Sequence, residues 1–165
     1  MANTIKDTIK SRKIAALIAD GFDGKHLEAM KKALMAEGAT LKTVAPRHGV
    51  IKTADGKAVA TDFSLLTAAS VLFDAVYVPG GAASIKTLAA SADARHFVDE
   101  AYKHCKAICA TGDTQLFIDN TFAGKATDDK AVVIAAKTTQ AAPAFISAIA
   151  NHRNWDREEN RKEAV

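Results

Sequence analysis

Short apolar runs alternate with helix-spaced apolar stripes through most of this chain. Ile14-Ala15-Ala16-Leu17-Ile18-Ala19 runs unbroken to Asp20-Gly21, which is the pattern of a strand buried on both faces. A helix follows from Asp23 or Gly24, with Leu27, Met30 and Leu34 on one face and Gly38 as its stop. Thr40–Ala45 reads as a second strand, halted by Pro46. Strand, helix and strand in this order predict parallel pairing with a right-handed crossover.

From Gly49 to Thr61 the pattern changes. Val50–Thr53 and Lys57–Ala60 flank Ala54-Asp55-Gly56, and Asp-Gly between short strands predicts a hairpin. Phe63 to Ser70 reads as a short helix. Asp74–Val78 is a further buried strand closed by Pro79-Gly80-Gly81, and Ser91 or Asp93 opens a helix striped by Phe97, Val98, Ala101 and Cys105. The stretch Lys106–Asp113 is then a short apolar run that breaks at Gly112 before another apolar segment, Leu116-Phe117-Ile118, the grammar of a central strand, a sharp turn and a helix. Asn120–Lys130 reads as loop, Ala131–Ala135 as a last strand, and Pro143 as the first residue of a closing helix. The whole predicts a flavodoxin-like three-layer α/β sandwich, mostly parallel, with a small hairpin insertion. Its organisation is a leader over 1–12, a domain over 13–153 and a polar tail over 154–165, with Trp155 pinning one spot of the tail.

Composition narrows the function classes. The 165 residues suffice for one domain with a real core, and an aromatic content of only 6% means that Ala, Val, Ile and Leu must build it. A formal charge of +3, with the cations scattered, gives no case for nucleic acid or an anionic membrane. No apolar run reaches the length of a transmembrane helix, and the polar start has no signal-peptide h-region, so the cytoplasm is the expectation.

Candidate chemistry is thin. Gly24-Lys25, Gly56-Lys57 and Gly124-Lys125 are followed by His26, Ala58 and Ala126, so no phosphate loop forms, and Gly-x-Gly-x-x-Gly is absent. The five histidines and two cysteines have no zinc-ligand spacing. A haem site of the catalase kind commonly places its axial tyrosine four residues after an arginine, and neither Tyr77 nor Tyr102 has that arginine. Cys109 is the tempting nucleophile, but the turn lies three residues further on, so counting places it inside the strand as a small apolar residue. Cys105 belongs to the preceding helix's apolar stripe.

With Asp74–Gly81 and the Gly112 elbow in view, the chain resembles the PfpI-like, class I glutamine-amidotransferase-like superfamily. In active members a cysteine occupies the elbow, an acidic residue early in the first helix assists it, and the Gly-Gly turn helps line an oxyanion pocket. Strand-by-strand matching puts Gly112 at the cysteine position and His26 at or near the acidic one. Gly80 and Gly81 fall at the oxyanion-type turn and Asp113 beside the elbow. The resemblance thus implies a degenerate site with no catalytic residue.

A second resemblance is more specific and covers most of the chain. Asn3–Gly21, Val44–Arg47, Ser70–Ala82, Glu100–Lys106 with Gly112-Asp113, and His152–Arg157 are similar to the C-terminal domain of large-subunit catalases. That family implies a haem-bearing core preceding this segment, with no haem or other cofactor and no metal in the domain itself. It also implies roles in stability and assembly, packing on the catalase core, self-association when the domain stands alone, and chaperone-like protection of unfolded client proteins. Met1-Ala2 reads either as an introduced start on an excised domain or as the start of a natural stand-alone protein. Two alternatives stay open: a PfpI-like stress-response enzyme using Cys109 or another thiol, and a binding module holding a ligand at the strand ends.

Overall fold

The computed structural model describes residues 8–126 and 128–163. Residues 1–7 of the predicted leader and 164–165 of the predicted tail lie outside the described residues. The chain runs β1 (Lys13–Leu17), α1 (Gly24–Ala36), β2 (Thr40–Ala45), β3 (Val50–Lys52), β4 (Ala58–Ala60) and β5 (Phe63–Ser64). After a 3₁₀ turn at Ser70–Leu72 come β6 (Ala75–Pro79), α2 (Ala82–Ala90), α3 (Ala92–Lys103) and β7 (Ala107–Thr111). It closes with α4 (Gln115–Ile118), α5 (Phe122–Lys125), β8 (Val132–Ala135), α6 (Thr138–Ala150) and α7 (Asp156–Glu163).

Six strands form one parallel sheet in the order β5-β2-β1-β6-β7-β8, and β3 and β4 pair antiparallel as a separate hairpin. The strand order reverses between β1 and β6, so the two carboxyl ends diverge there and leave the crevice where such sheets place a site. Alternation along each strand divides the core. Ile14, Ala16, Tyr77 and Cys109 face a layer with Met30, Leu34, Phe145 and Ile149 of α1 and α6. Ala15, Leu17, Val76 and Ile108 face Leu88, Phe97, Val98 and Phe117 on the other side. Both faces are thus buried, which is why the strands read as continuous apolar runs.

Four local expectations are corrected. Phe63–Ser70 is not a helix: Phe63 and Ser64 pair with Val44 and Ala45, and the Asp62 carboxylate accepts from the Thr43 amide at 2.9 Å, fixing them as an edge strand. Pro143 lies inside α6 rather than at its start. Pro143 and Thr139 are both exposed, so water can take up the carbonyl that loses its helical partner. Asn120–Lys130 contains a helical turn, capped by the Thr121 hydroxyl. Trp155 is half exposed, and Arg157 is the buried anchor of that segment instead. Helix α2 went unpredicted because only Ile85 and Leu88 mark its apolar face among small residues.

Candidate functional site

The turns after β1, β6 and β7 meet at the carboxyl edge of the sheet. Asp23 opens α1 there: its Oδ1 accepts from the Lys25 and His26 amides at 3.0 and 3.2 Å, satisfying groups the helix leaves unpaired. The Asp23 amide donates to the Gly80 carbonyl at 2.8 Å, tying the first turn to the second. Gly81 has φ +118°, and a Cβ on it would run into the Gly21 carbonyl and the Phe22 backbone, so only glycine lets these turns touch. The hairpin anchors nearby, with the Gly21 amide donating to the Lys52 carbonyl at 2.8 Å.

Gly112 sits at the elbow with φ +80°. A Cβ there would lie 3.0 Å from His26 Cε1, 3.2 Å from His26 Nδ1 and 3.4 Å from Gly80 Cα. The imidazole therefore occupies the space into which a side chain at 112 would project. His26 Nδ1 lies 3.2 Å from Thr111 Oγ1, which lies 2.6 Å from the Tyr77 hydroxyl; that hydroxyl also reaches the His26 carbonyl at 3.3 Å. Burial pushes the Tyr77 hydroxyl up to about 12, against the opposing effect of its Thr111 bond. Asp23 Oδ2 approaches His26 Nε2 at 3.7 Å. Of the residues singled out from sequence, His26, Gly80, Gly81 and Gly112 come together, while Asp113 is exposed beside them and its amide nitrogen would lie 3.1 Å from a Cβ on Gly80.

Cys109 lies two residues below this edge, fully buried on the α1–α6 side, and burial raises its thiol well above the ordinary range. Cys105 is also buried, and desolvation raises it too. Neither is exposed, and at Cys105 burial outweighs the lowering effect of the Arg157 and Arg153 guanidinium groups. The two tyrosines are held by structural contacts: Tyr77 by Thr111, and Tyr102 by the Arg157 guanidinium, 4.3 Å above its ring.

Thr111 and Tyr77 were not picked out as site residues from sequence. Their signal is a hydroxyl in each of two otherwise apolar strands, at positions that share a face only once the parallel register pairs Tyr77 with Cys109 and Pro79 with Thr111. A second polar cluster was also missed. Arg157 clamps Asp129 through Nε–Oδ2 at 2.6 Å and Nη2–Oδ1 at 3.1 Å, and donates to the Tyr102 and Lys106 carbonyls. It joins α7 to the body of the domain.

Comparison with known proteins first defines the fold class. The chain superposes on a ThiJ/PfpI domain protein from Brachyspira murdochii with TM-score 0.71 and 16% identity, covering 86% of this chain and 96% of that one. A DJ-1 superfamily protein from Salmonella typhimurium gives TM-score 0.66 and 19% identity, covering 93% and 97%. The architecture is that of the DJ-1/ThiJ/PfpI fold.

Sequence comparison then gives the family. Residues 10–159 match the C-terminal domain found in long catalases, and the chain belongs to that family. It is 36% identical to catalase HPII of Pseudomonas aeruginosa over 94% of this chain and 22% of the relative, and 39% identical to catalase HPII of Mycobacterium avium over 92% and 23%. It thus spans about a fifth of the length of these relatives.

Proposed function

We propose that this domain is the non-catalytic C-terminal accessory domain of a large-subunit catalase, whose preceding haem-bearing part removes hydrogen peroxide in the cytoplasm. The observation that carries this reading is the elbow. Position 112 supplies no nucleophile, His26 fills the space above it, and the neighbouring thiol of Cys109 is buried and protonated. The DJ-1/ThiJ/PfpI scaffold is kept while the groups that would run covalent chemistry on it are absent from its edge. Its work is then structural: it stabilises and helps assemble the long chain, and binds no haem of its own.

Removing the domain from the long chain tests this. Activity per haem is expected to persist, while the temperature of inactivation falls and the oligomer dissociates at lower denaturant. Unchanged stability and assembly would reject the accessory role. Protection of unfolded clients belongs to the same proposal. It predicts that the 165-residue chain suppresses light scattering by a heat-labile protein more than an inert control does.

A further inference from the structure

A cavity of about 570 Å³ opens where α3, α5 and α7 meet, at the opposite end of β7 from the elbow. Small-molecule sites have volumes of roughly 300–1,000 Å³ and are mostly apolar, with a few placed polar groups. Tyr102 and Phe122 supply an aromatic wall here, with ring centroids 6.2 Å apart and planes at 58°, so that the rings form a wedge. Phe122 remains 41% exposed, an aromatic surface that further burial would stabilise. The Cys105 thiol closes the inner end and is itself buried. Burial is the first cause raising the pKa of both Tyr102 and Cys105, so water solvates this lining poorly.

Most charges in the lining are already answered. Lys103 donates to Glu100 at 3.0 Å, and the Arg157 guanidinium is compensated by Asp129. Glu158 approaches the Cys105 thiol at 3.9 Å and is engaged by a further contact. Lys125, exposed at the end of α5, is the lining charge that has no partner among the described residues. Arg157, almost fully buried, also keeps one donor unused. Its four hydrogen bonds go twice to Asp129 and once each to the Tyr102 and Lys106 carbonyls, and a guanidinium carries one N–H more than that. A buried donor without an acceptor is costly, and an oxygen reaching it removes the cost.

We propose that this cavity binds a small aromatic carboxylate, with its ring against Tyr102 and Phe122 and its carboxylate toward Lys125 and the unused N–H of Arg157. The wedge of rings fits a flat apolar body, and the unpaired ammonium fits an acid. A bare inorganic anion would gain nothing from the aromatic wall. A neutral ring would leave Lys125 unanswered, and a cationic ligand would be repelled by it. The inference is independent of the accessory-domain reading, since every residue it uses lies in this chain.

Calorimetric titration of the 165-residue chain with 2-naphthoate, and with its uncharged counterpart 2-naphthalenemethanol, decides the matter. The acid should occupy a single site and bind roughly tenfold more tightly than the alcohol, the difference a charge-assisted hydrogen bond supplies. Lys125→Gln should remove that preference while leaving the alcohol's affinity as it was, and Phe122→Ala should weaken both. Lys86→Gln, an exposed cation of α2 outside the lining, should change neither. Both lysines are exposed, so their variants should keep the native melting temperature, measured alongside. Amide NMR shifts on adding the acid should cluster at residues 102–105 and 122–125. Absence of binding, equal affinity for acid and alcohol, or a preference that survives Lys125→Gln overturns the site. Shifts centred elsewhere, or several molecules bound per chain, also overturn it. Binding to the 165-residue chain that is lost in a longer chain containing it would make the cavity a seat for another segment, and overturns the ligand while leaving the accessory role standing.

Discussion

Two constraints coincide at Gly112: a left-handed backbone and a histidine ring against the missing side chain. Gly112→Ala is therefore expected to cost about 1–3 kcal/mol in urea unfolding, combining the φ penalty with a 3.0 Å approach to His26. Adding His26→Ala should recover part of that loss, because the approach then disappears while the φ penalty stays. A cycle in which the two changes simply add would show that the ring does not press on the elbow. Asp23→Ala should cost about 1 kcal/mol through loss of the cap on α1, measured the same way. The elbow and the Gly-Gly turn were legible in sequence because glycine before an apolar helix marks a sharp turn. The Tyr77–Thr111–His26 chain was not, since 34 and 85 residues separate its bonded pairs.

Elements join this domain by two different means. Strands and long helices are held by apolar faces, so their periodicity announces them; among the described residues of α7, Arg157 makes the buried anchor. Arg157 and Asp129 are both almost fully buried, and Asp129 also accepts from Asn154 and the Ala131 amide. Removing one partner leaves a buried uncompensated charge, so Asp129→Asn should cost about 3–5 kcal/mol in global or sub-global unfolding. Burial alone would raise the Asp129 carboxyl, but its Arg157 contacts and accepted hydrogen bonds outweigh this and lower it. A depressed carboxylate stabilises above the ordinary carboxylate range and loses that contribution as pH falls through its folded value. The difference between the native chain and Asp129→Asn should therefore shrink below about pH 4, followed by chemical unfolding across pH. A difference that persists in acid would show that the pair contributes by shape rather than charge. A tail with balanced charges gave no sign of this, because a buried ion pair has the same composition as a solvated one.

For the whole molecule, both cysteines should resist alkylation in the native state and react only as fast as the chain unfolds, a single labelling phase tracking denaturant. Rapid labelling at Cys109 would reopen an enzymatic reading. The layers, the parallel sheet, the hairpin and the burial of Cys109 were determined by the sequence alone, through runs of apolar residues whose period and breaks reflect burial on one face or two. The edge strand at Phe63, the position of Pro143 within α6 and the anchor at Arg157 were decided only by tertiary structure, because each depends on a partner distant in the chain. So was the closing of the elbow by His26. The sequence placed glycine where a nucleophile would stand, and the His26 ring at the start of α1, beside Thr111 at the end of β7, filled the space above it.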